Sequence, residues 1–390
     1  MKIAINLFEV RKIGGIWTFQ KNLVEGLRKL GHQVDEYYIL SNKKYLENKK
    51  KIERGEFQED VSLNRLGFMT DEMQKQYKQV MQNYDAIIFT HPCPHLNKSF
   101  SSKNWTSCYD LDKPIITIFH DTCAEPYYHW IKEVSNKITV AVAVQPKAFI
   151  SIDYAKIKNY TMIYHPFNLE DMYTDFTSRE KWIISPHQFK SWKRLDIIIN
   201  AFIGLQNWQL HMFSYGSLQA YWKYEDFWKK AVENGLVYHG VTPSAEIIET
   251  FKKSQVIVDL SYGEFGRHYA KQYPKMTNIN YALLEGIKYG VLPFVSKHAI
   301  QHPFTSENFI VIPESDNLHM IKTLRDTLQN INYEDYIDML KTNQQILKEN
   351  YDNVKIAKKY ENLLLGKYDV VDYNKLLGKK QAKTLLMLYQ

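Results

Sequence analysis

The chain has 390 residues, of which 45% are hydrophobic, with 16 Gly and 12 Pro. This composition argues against a disordered chain, and the length exceeds what one hydrophobic core usually organises, so two domains are expected. The net charge of +7 suits a polyanionic partner or an anionic membrane surface, but a charge this modest serves solubility equally well.

The first half of the sequence alternates predicted strands and helices. Lys2–Phe8 is predicted to be a buried parallel strand, followed by a glycine-containing turn and by a helix that ends at Gly31. The charge-dense segment 42–57 is expected to be a solvated helix or loop. Further strands are predicted at 33–40, 86–89, 114–119, 139–144, 149–152 and 162–165. A strand, glycine loop, helix and strand in this order open a doubly wound sheet.

The polar segment 165–180 lacks periodicity and marks the predicted domain boundary. A second alternation follows it, with strands expected at 181–185, 208–214, 236–241, 256–261, 291–296 and 308–313, and helices at 193–206, 217–234, 243–253 and 278–289. Residues 335–365 are predicted to form one long terminal helix, and 366–390 a basic, amphipathic tail. We therefore expect an α/β protein with two Rossmann-like, doubly wound halves and the ligand between them.

Cysteine usage and the N-terminus bear on the compartment. The cysteines Cys93, Cys108 and Cys123 include no Cys-x-x-Cys pair and no nearby His pair at metal spacing, which favours a reducing compartment and argues against structural zinc. MKIAINLFEV meets charge too early for a signal peptide, and no apolar run approaches the roughly 20 residues that span a bilayer. A soluble, cytoplasmic protein without a membrane partner is expected.

Gly14 and Gly15 lie in the turn after the first strand. Glycines at this place let the backbone approach a bound ligand, although a tight turn alone also requires them. The full G-x-G-x-x-G fingerprint is absent, as is a convincing acidic residue at the end of the second strand, so a hydride-transfer cofactor is disfavoured.

The segment HQFKSWKR places Lys190, Lys193 and Arg194 where a strand ends and a helix begins. The helix macrodipole favours acidic groups at this end, so a cluster of cations there suggests a bound diphosphate, with backbone N–H groups adding to the site. A solvated basic turn is the alternative.

TNINYALLEGIKYG predicts a helix with Thr277 as N-cap and Gly290 as its stop. Glu285 lies off the apolar stripe of this helix, and its carboxylate could accept two hydroxyl hydrogen bonds from a ribose. An exposed Glu paired with Lys288 is the alternative.

His120 and Asp121 follow the apolar run PIITIF, at the carboxyl end where open α/β sheets bind ligands. Either side chain could take a proton from an attacking hydroxyl or stabilise a charged transition state. Alone, an Asp after a strand is more often a helix cap.

The phrases FKSWKRLDIIINAF and SYGEFG…ALLEGIKYGVLPFV resemble the nucleotide-sugar half of retaining glycosyltransferases of the GT-B fold. The glycine pair and FHD at 119–121 are similar to the acceptor half. That family usually carries a Glu-x7-Glu pair; Glu285 matches the second Glu, but Thr277 stands at the first. This loss, the insertion GRHYAKQYPKM and the helix ending KLGHQV resemble the DNA α-glucosyltransferases of T-even-like bacteriophages, which modify hydroxymethylcytosine. The resemblance covers most of residues 1–310.

The resemblance implies a GT-B fold with two Rossmann-like domains facing each other across a cleft. Residues 1–167 would bind the acceptor, 168–350 the nucleotide sugar, and 351–390 would pack back towards the N-terminal domain. UDP-glucose would be the donor, with Lys190, Lys193 and Arg194 on the diphosphate, Glu285 on the ribose, and Gly14 and Gly15 beside the donor.

The resemblance also assigns the chemistry. Asp121 would be the base or charge stabiliser near the acceptor hydroxyl, and His120 would lie beside the sugar. Transfer would proceed with retention by front-face attack, with no obligatory metal or cofactor. The acceptor would be double-stranded DNA carrying hydroxymethylated bases, in an infected bacterial host if a phage encodes the protein.

Two other functions stay open. Many GT-B sequences transfer a sugar to a cell-surface polysaccharide or lipid carrier, for which 42–57 or 375–390 could supply a membrane-binding helix, although their apolar faces are poor. A non-catalytic sugar-binding protein could also have two Rossmann-like halves. The cation cluster at a phosphate position argues against that alternative.

Overall fold

The computed structural model describes most of the chain. The described residues are 1–8, 15–40, 64–68, 70–93, 103–120, 125–145, 148–187, 189, 193–213, 226–240, 242, 244–261 and 279–367. The chain divides into two compact units: unit 1 contains Met1–Asn168 and the segment from Tyr351 onward, and unit 2 contains Leu169–Asn350. No helix within the described residues is long and apolar enough to cross a membrane.

Unit 1 contains a parallel sheet of seven strands in the order β3-β2-β1-β4-β5-β6-β7. The strands are β1 (Lys2–Phe8), β2 (Gln33–Leu40), β3 (Asn64–Gly67), β4 (Ala86–Phe89), β5 (Ile115–Phe119), β6 (Val140–Ala143) and β7 (Tyr160–Met162). Every residue of β4, β5 and β6 is buried, as expected for parallel strands that are covered on both faces. The strand order reverses between β1 and β4.

Helices described between the strands of this sheet are α1 (Gly15–Lys29), α2 (Asp71–Met81), α3 (Glu125–Glu133) and α4 (Phe149–Tyr154). The prediction of a strand at 149–152 is wrong, because this segment lies in α4. Phe149, Ile152 and Ala155 are all buried, and their spacing of three residues is that of one helix face. A short apolar run of this kind is compatible with either structure until its packing is known.

Unit 2 contains a second parallel sheet, in the order β10-β9-β8-β11-β12-β13. Its strands are β8 (Glu180–Ser185), β9 (Gln209–Phe213), β10 (Leu236–Gly240), β11 (Ser254–Asp259), β12 (Leu292–Val295) and β13 (Ile310–Val311). Its helices are α5 (Leu195–Phe202), α6 (Asp226–Glu233), α7 (Ser244–Lys253), α8 (Tyr281–Lys288), α9 (Asn317–Asn330) and α10 (Ile337–Asn350). This is the Rossmann strand order, with its reversal between β8 and β11.

The single long helix predicted at 335–365 is instead two helices, α10 and α11 (Asn353–Leu364). Asp352 separates them because its side chain accepts a hydrogen bond from the Lys355 N–H and so caps α11. The backbone of Phe167 forms hydrogen bonds on both sides of the break between α10 and α11. Its N–H donates to the Tyr351 carbonyl over 2.7 Å, and its carbonyl accepts from the Asn353 N–H over 3.0 Å.

Helix α11 packs against α1 within unit 1. Gly26 of α1 lies where the two backbones approach, and a Cβ there would fall within van der Waals contact distance of the Asn353 carbonyl. His32 and Glu361 form a buried pair nearby, with 3.2 Å between His32 Nε2 and the carboxylate. The segment 42–57, and all of 366–390 beyond its first two residues, lie outside the described part of the chain.

Candidate functional site

The carboxyl ends of β8 and β11 form the place in unit 2 where a ligand site is expected, because these adjacent strands lie where the strand order reverses. His187 follows β8, Asp259 is the last residue of β11, and Lys193 precedes α5. His187 and Asp259 are both buried, and the charge of Lys193 acts on the pKa of each.

The Asp259 carboxylate is fully buried and extensively hydrogen-bonded. It accepts from the Ser261 N–H over 3.0 Å, from the Ser261 hydroxyl, and from the Asn280 side-chain amide. Burial raises the pKa of Asp259, but Lys193, His187 and the Ser261 hydrogen bonds outweigh burial and hold that pKa well below its usual value. Asp259 is therefore a carboxylate at neutral pH.

His187 is a neutral neighbour of this carboxylate. Its Nε2–H donates to the Val258 carbonyl over 3.0 Å. Burial lowers the pKa of His187, Asp259 raises it and Lys193 lowers it, and the net result is a pKa of about 4. Of His187, Asp259 and Lys193, the histidine is thus the neutral member.

The three predicted cations have different outcomes. Lys193 is half-buried and acts on Asp259, whereas Lys190 lies outside the described residues. Arg194 caps α5 in the left-handed region, with φ of 51°, and its guanidinium donates to Asn317 Oδ1 over 2.8 Å. Arg194 therefore contacts the first residue of α9, an interaction that the sequence pattern did not predict.

Glu285 lies in the second turn of α8. The N-cap of this helix is Asn280, whose Oδ1 accepts from the Leu283 N–H over 3.0 Å, so the prediction that Thr277 caps it is wrong. The Asn280 amide also donates to Asp259, which links the start of α8 to the end of β11. Helix α8 ends at Lys288, and Gly290 follows with a φ of 69°.

The Glu285 side chain is partly buried, and burial raises the pKa of its carboxyl from 4.5 to about 7, with Lys288 opposing the change. Among the residues that the structure describes, this carboxylate accepts no hydrogen bond and forms no ion pair. Gly286 packs α8 closely on β11, because a Cβ at Gly286 would lie 2.9 Å from Cγ2 of Ile257.

His120 follows β5 in unit 1 and is buried. Its Nε2 lies 2.9 Å from the Thr90 carbonyl oxygen, and the ring of Phe19 meets it edge-on with 4.7 Å between centroids. Gly15 is the exposed first residue of α1. Gly14 and Asp121 lie outside the described residues.

Comparison of the sequence with protein-family models and with curated proteins gave no match. Solved structures do match. HepE from Anabaena, in complex with UDP and glucose, is 11% identical over 94% of this chain and 100% of its own, with a TM-score of 0.64. The chain has the GT-B fold.

Other GT-B structures match equally well. An alpha-glucosyltransferase in complex with UDP and a 13-mer DNA containing a HMU base is 12% identical over 94% of this chain and 99% of its own, with a TM-score of 0.67. A mutant of TarM from S. aureus, in complex with Fondaparinux, alpha-GlcNAc-glycerol and UDP, is 10% identical over 93% and 99%, with a TM-score of 0.64. The similarity is to GT-B enzymes in general and does not single out the phage group.

Within the GT-B chain, the structure groups some predicted residues and separates others. Lys193 and the helix of Glu285 are linked through Asp259 and Asn280, whereas His120 and Gly15 belong to the other unit. Within the described region, no hydrogen bond or ion pair joins Glu285 to Lys193 or Arg194, and no three His, Cys, Asp or Glu side chains are placed to hold a metal ion.

Sequence reasoning missed His187, Asp259 and Asn280. An Asp that ends the apolar run VIV, at the strand next to the reversal point, is the signal that could have identified Asp259.

Proposed function

We propose that this protein is a glycosyltransferase that moves a hexose, in the first instance glucose, from a UDP-sugar to a hydroxymethylated pyrimidine base in double-stranded DNA, with retention of configuration. The observation that carries the proposal is the charged cluster of Lys193 and Asp259 at the strand-order reversal of unit 2, next to the helix of Glu285. It is supported by neighbours of the same fold that bind UDP.

The donor part of the proposal rests on charge. Lys193 and Arg194 stand immediately before α5, where the macrodipole is also positive, and Asp259 offsets only part of this charge, so the start of α5 favours an anionic ligand. A diphosphate supplies that charge, and the backbone N–H groups at the start of α5 can donate to it. Lys190, which precedes them in the sequence, is proposed to add a third cation.

Glu285 is the proposed ribose ligand. A carboxylate that is partly buried and accepts no hydrogen bond from the described residues is destabilised, and the vicinal hydroxyls of a ribose are two donors that would lower this cost. Because hydroxyl donors favour the ionised form, nucleotide binding would lower the pKa of Glu285 from its value of about 7.

The transfer step breaks the bond between the anomeric carbon and the diphosphate oxygen and forms a bond from that carbon to the acceptor hydroxyl oxygen. The hydroxyl proton passes to Asp121 or to the departing phosphate, and His120 contacts the sugar. Lys193 and Arg194 stabilise the negative charge that develops on the leaving UDP. Attack from the face on which UDP departs gives retention.

The DNA acceptor is favoured by the net charge of +7 and by the neighbour bound to DNA with a HMU base. A base in a duplex must leave the stack to react, which costs a few kcal/mol that contacts to the DNA backbone offset. A glycan acceptor is the second candidate, because the TarM neighbour was solved with Fondaparinux and alpha-GlcNAc-glycerol.

The acceptor is tested with UDP-glucose and four acceptors: unmodified DNA, hydroxymethylcytosine DNA, hydroxymethyluracil DNA and a glycan such as Fondaparinux. Mass spectrometry of digested nucleosides should show one added hexose on a hydroxymethylated base and none on unmodified DNA. In Asp121→Asn, transfer should be lost while UDP affinity is kept, because a group that acts in the transition state adds little to ground-state binding. Hexose on the glycan alone would contradict the DNA proposal.

The donor site is tested by calorimetric titration with UDP. Lys193→Met and Glu285→Gln should each weaken binding by roughly 1–3 kcal/mol, the value of a charged hydrogen bond. The matched controls are Lys252→Met and Glu249→Gln, which separate an ion pair of 2.8 Å on the surface of α7 and should bind UDP as the wild type does. Equal affinities in all five proteins would refute the site assignment.

A further inference from the structure

Four adjacent strands of unit 1 are followed by buried polar side chains. His91 follows β4, His120 follows β5, Gln145 follows β6 and His165 follows β7. The rings of His91 and His120 stack with 6.5 Å between centroids and 9° between planes, and those of His120 and His165 with 6.1 Å and 24°. His120 is thus the central ring of a row along the carboxyl edge of the sheet.

The hydrogen bond to Thr90 determines which nitrogen of His120 carries the proton. A carbonyl oxygen only accepts hydrogen bonds, so the Nε2 that lies 2.9 Å from the Thr90 carbonyl must be the N–H. In the neutral imidazole Nδ1 is then the acceptor nitrogen.

The Thr90 carbonyl is itself held in place. The Thr90 N–H donates to the Asn6 carbonyl over 2.9 Å, and its hydroxyl donates to Gln20 Oε1 over 2.9 Å. Asn6, Gln20 and Thr90 are all fully buried, so the carbonyl that fixes the His120 ring belongs to a rigid polar network.

Gln145 holds the other end of the same residue. Its side-chain amide donates to the backbone carbonyl of His120, and Gln145 is only 2% exposed. The ring and the backbone of His120 are therefore fixed by two different neighbouring strands, through Thr90 and Gln145.

We infer that Thr90 and Gln145 are positioning residues that hold the ring and the backbone of His120 with a proton on Nε2, so that in the neutral ring Nδ1 is the only nitrogen to which a substrate hydroxyl could donate. The inference rests on the proposed function in taking that hydroxyl to belong to the sugar or the acceptor. It deepens the proposal, because it specifies the tautomer through which His120 acts and the residues that select it.

The tautomer is read from long-range ¹H–¹⁵N correlation spectra of full-length protein labelled with ¹⁵N-histidine, with the His120 signals assigned by their loss in His120→Gln. We expect the Nε2–H tautomer at neutral pH. A wild-type spectrum with the proton on Nδ1, or with His120 charged at pH 7.5, would overturn the inference.

The positioning role is measured by UDP-glucose hydrolysis in Gln145→Met, which keeps the side-chain shape and removes the donor. We expect kcat to fall at least about tenfold, as misplacement of a reacting group does, with KM for UDP-glucose unchanged. The matched control is Gln74→Met, because Gln74 Nε2 likewise donates to a backbone carbonyl of unit 1, that of Phe68 over 3.0 Å.

The two variants separate positioning from a structural effect. Equal kcat in Gln145→Met and the wild type, or the same loss of kcat in Gln74→Met, would refute the positioning role. No hydrolysis or transfer by the wild type with any UDP-sugar would refute the proposed function instead, while the spectra would still test the tautomer.

Discussion

Glu285→Gln should stabilise the protein at neutral and alkaline pH. Burial raises the pKa of Glu285 from 4.5 to about 7, so the folded state resists the ionisation that the unfolded chain undergoes freely. Because the pKa of this carboxyl is higher in the folded state than in the unfolded chain, its stabilising contribution is fully present below pH 4.5 and is lost as the pH rises through 7. The rise corresponds to at most about 3 kcal/mol at pH 8, and Gln removes this cost because it has no charge.

The assay is urea unfolding of the wild type and Glu285→Gln at pH 5 and pH 8, with Glu249→Gln as the exposed control. The difference in free energy of unfolding between variant and wild type should grow by about 2–3 kcal/mol from pH 5 to pH 8. Comparing the two proteins cancels the titration of every other group. A difference that is the same at both pH values, or a variant less stable than the wild type at pH 8, would refute the reasoning.

Two further predictions test the packing of helices, and a third tests the pH dependence of stability. Gly286→Ala should cost about 1–3 kcal/mol and weaken UDP binding, because the new methyl group pushes α8 away from Ile257. Gly26→Ala should lower the free energy of unfolding by a comparable amount, seen as a lower Tm, without changing UDP affinity, since it separates α1 from α11 at Asn353. Burial lowers the pKa of His211 to about 4, so the stability from its neutral form is present above pH 6.5 and is lost as the pH falls towards 4; His211→Gln should show a shallower loss in acid unfolding curves.

Most strands of both sheets were predictable from the sequence because they contain short apolar runs. Strand β3 was not predicted, because its sequence NRLG has no apolar run, and the strand predicted at 162–165 overlaps β7 only at Met162. The glycines that follow helices were predictable because glycine is favoured where the backbone turns into the left-handed region at a helix end. Gly31 and Gly290 have φ values of 86° and 69°, a region in which side chains with a Cβ are strained. These local signals carry most of the topology, since parallel strands joined by helices permit few arrangements.

The failed predictions depended on contacts between distant residues. Nothing in the pattern of 335–365 indicates that Phe167 pairs with the backbone at Tyr351, which is what accompanies the break between α10 and α11. In the same way, the cap at Asn280 is fixed partly by Asp259, which is distant in sequence but adjacent in the fold. Arg194 was identified as a cation, but its bond to Asn317 follows only from the packing of α9 beside α5.

Asp259 and Glu285 of unit 2 are both carboxylates removed from solvent, but their pKa values shift in opposite directions. Asp259 is more deeply buried than Glu285, yet its pKa is lowered, because the charge of Lys193, together with His187 and the hydrogen bonds from Ser261, outweighs the effect of burial. At Glu285 the charge of Lys288 opposes the effect of burial without outweighing it, and the pKa is raised. Among the described residues, Asp259 accepts hydrogen bonds from Ser261 and Asn280, whereas the Glu285 carboxylate accepts none. If Glu285 binds the ribose as we propose, Glu285→Gln should gain stability at alkaline pH and lose UDP affinity together, because the change removes both the cost of a partly buried charge and an acceptor for the hydroxyl donors.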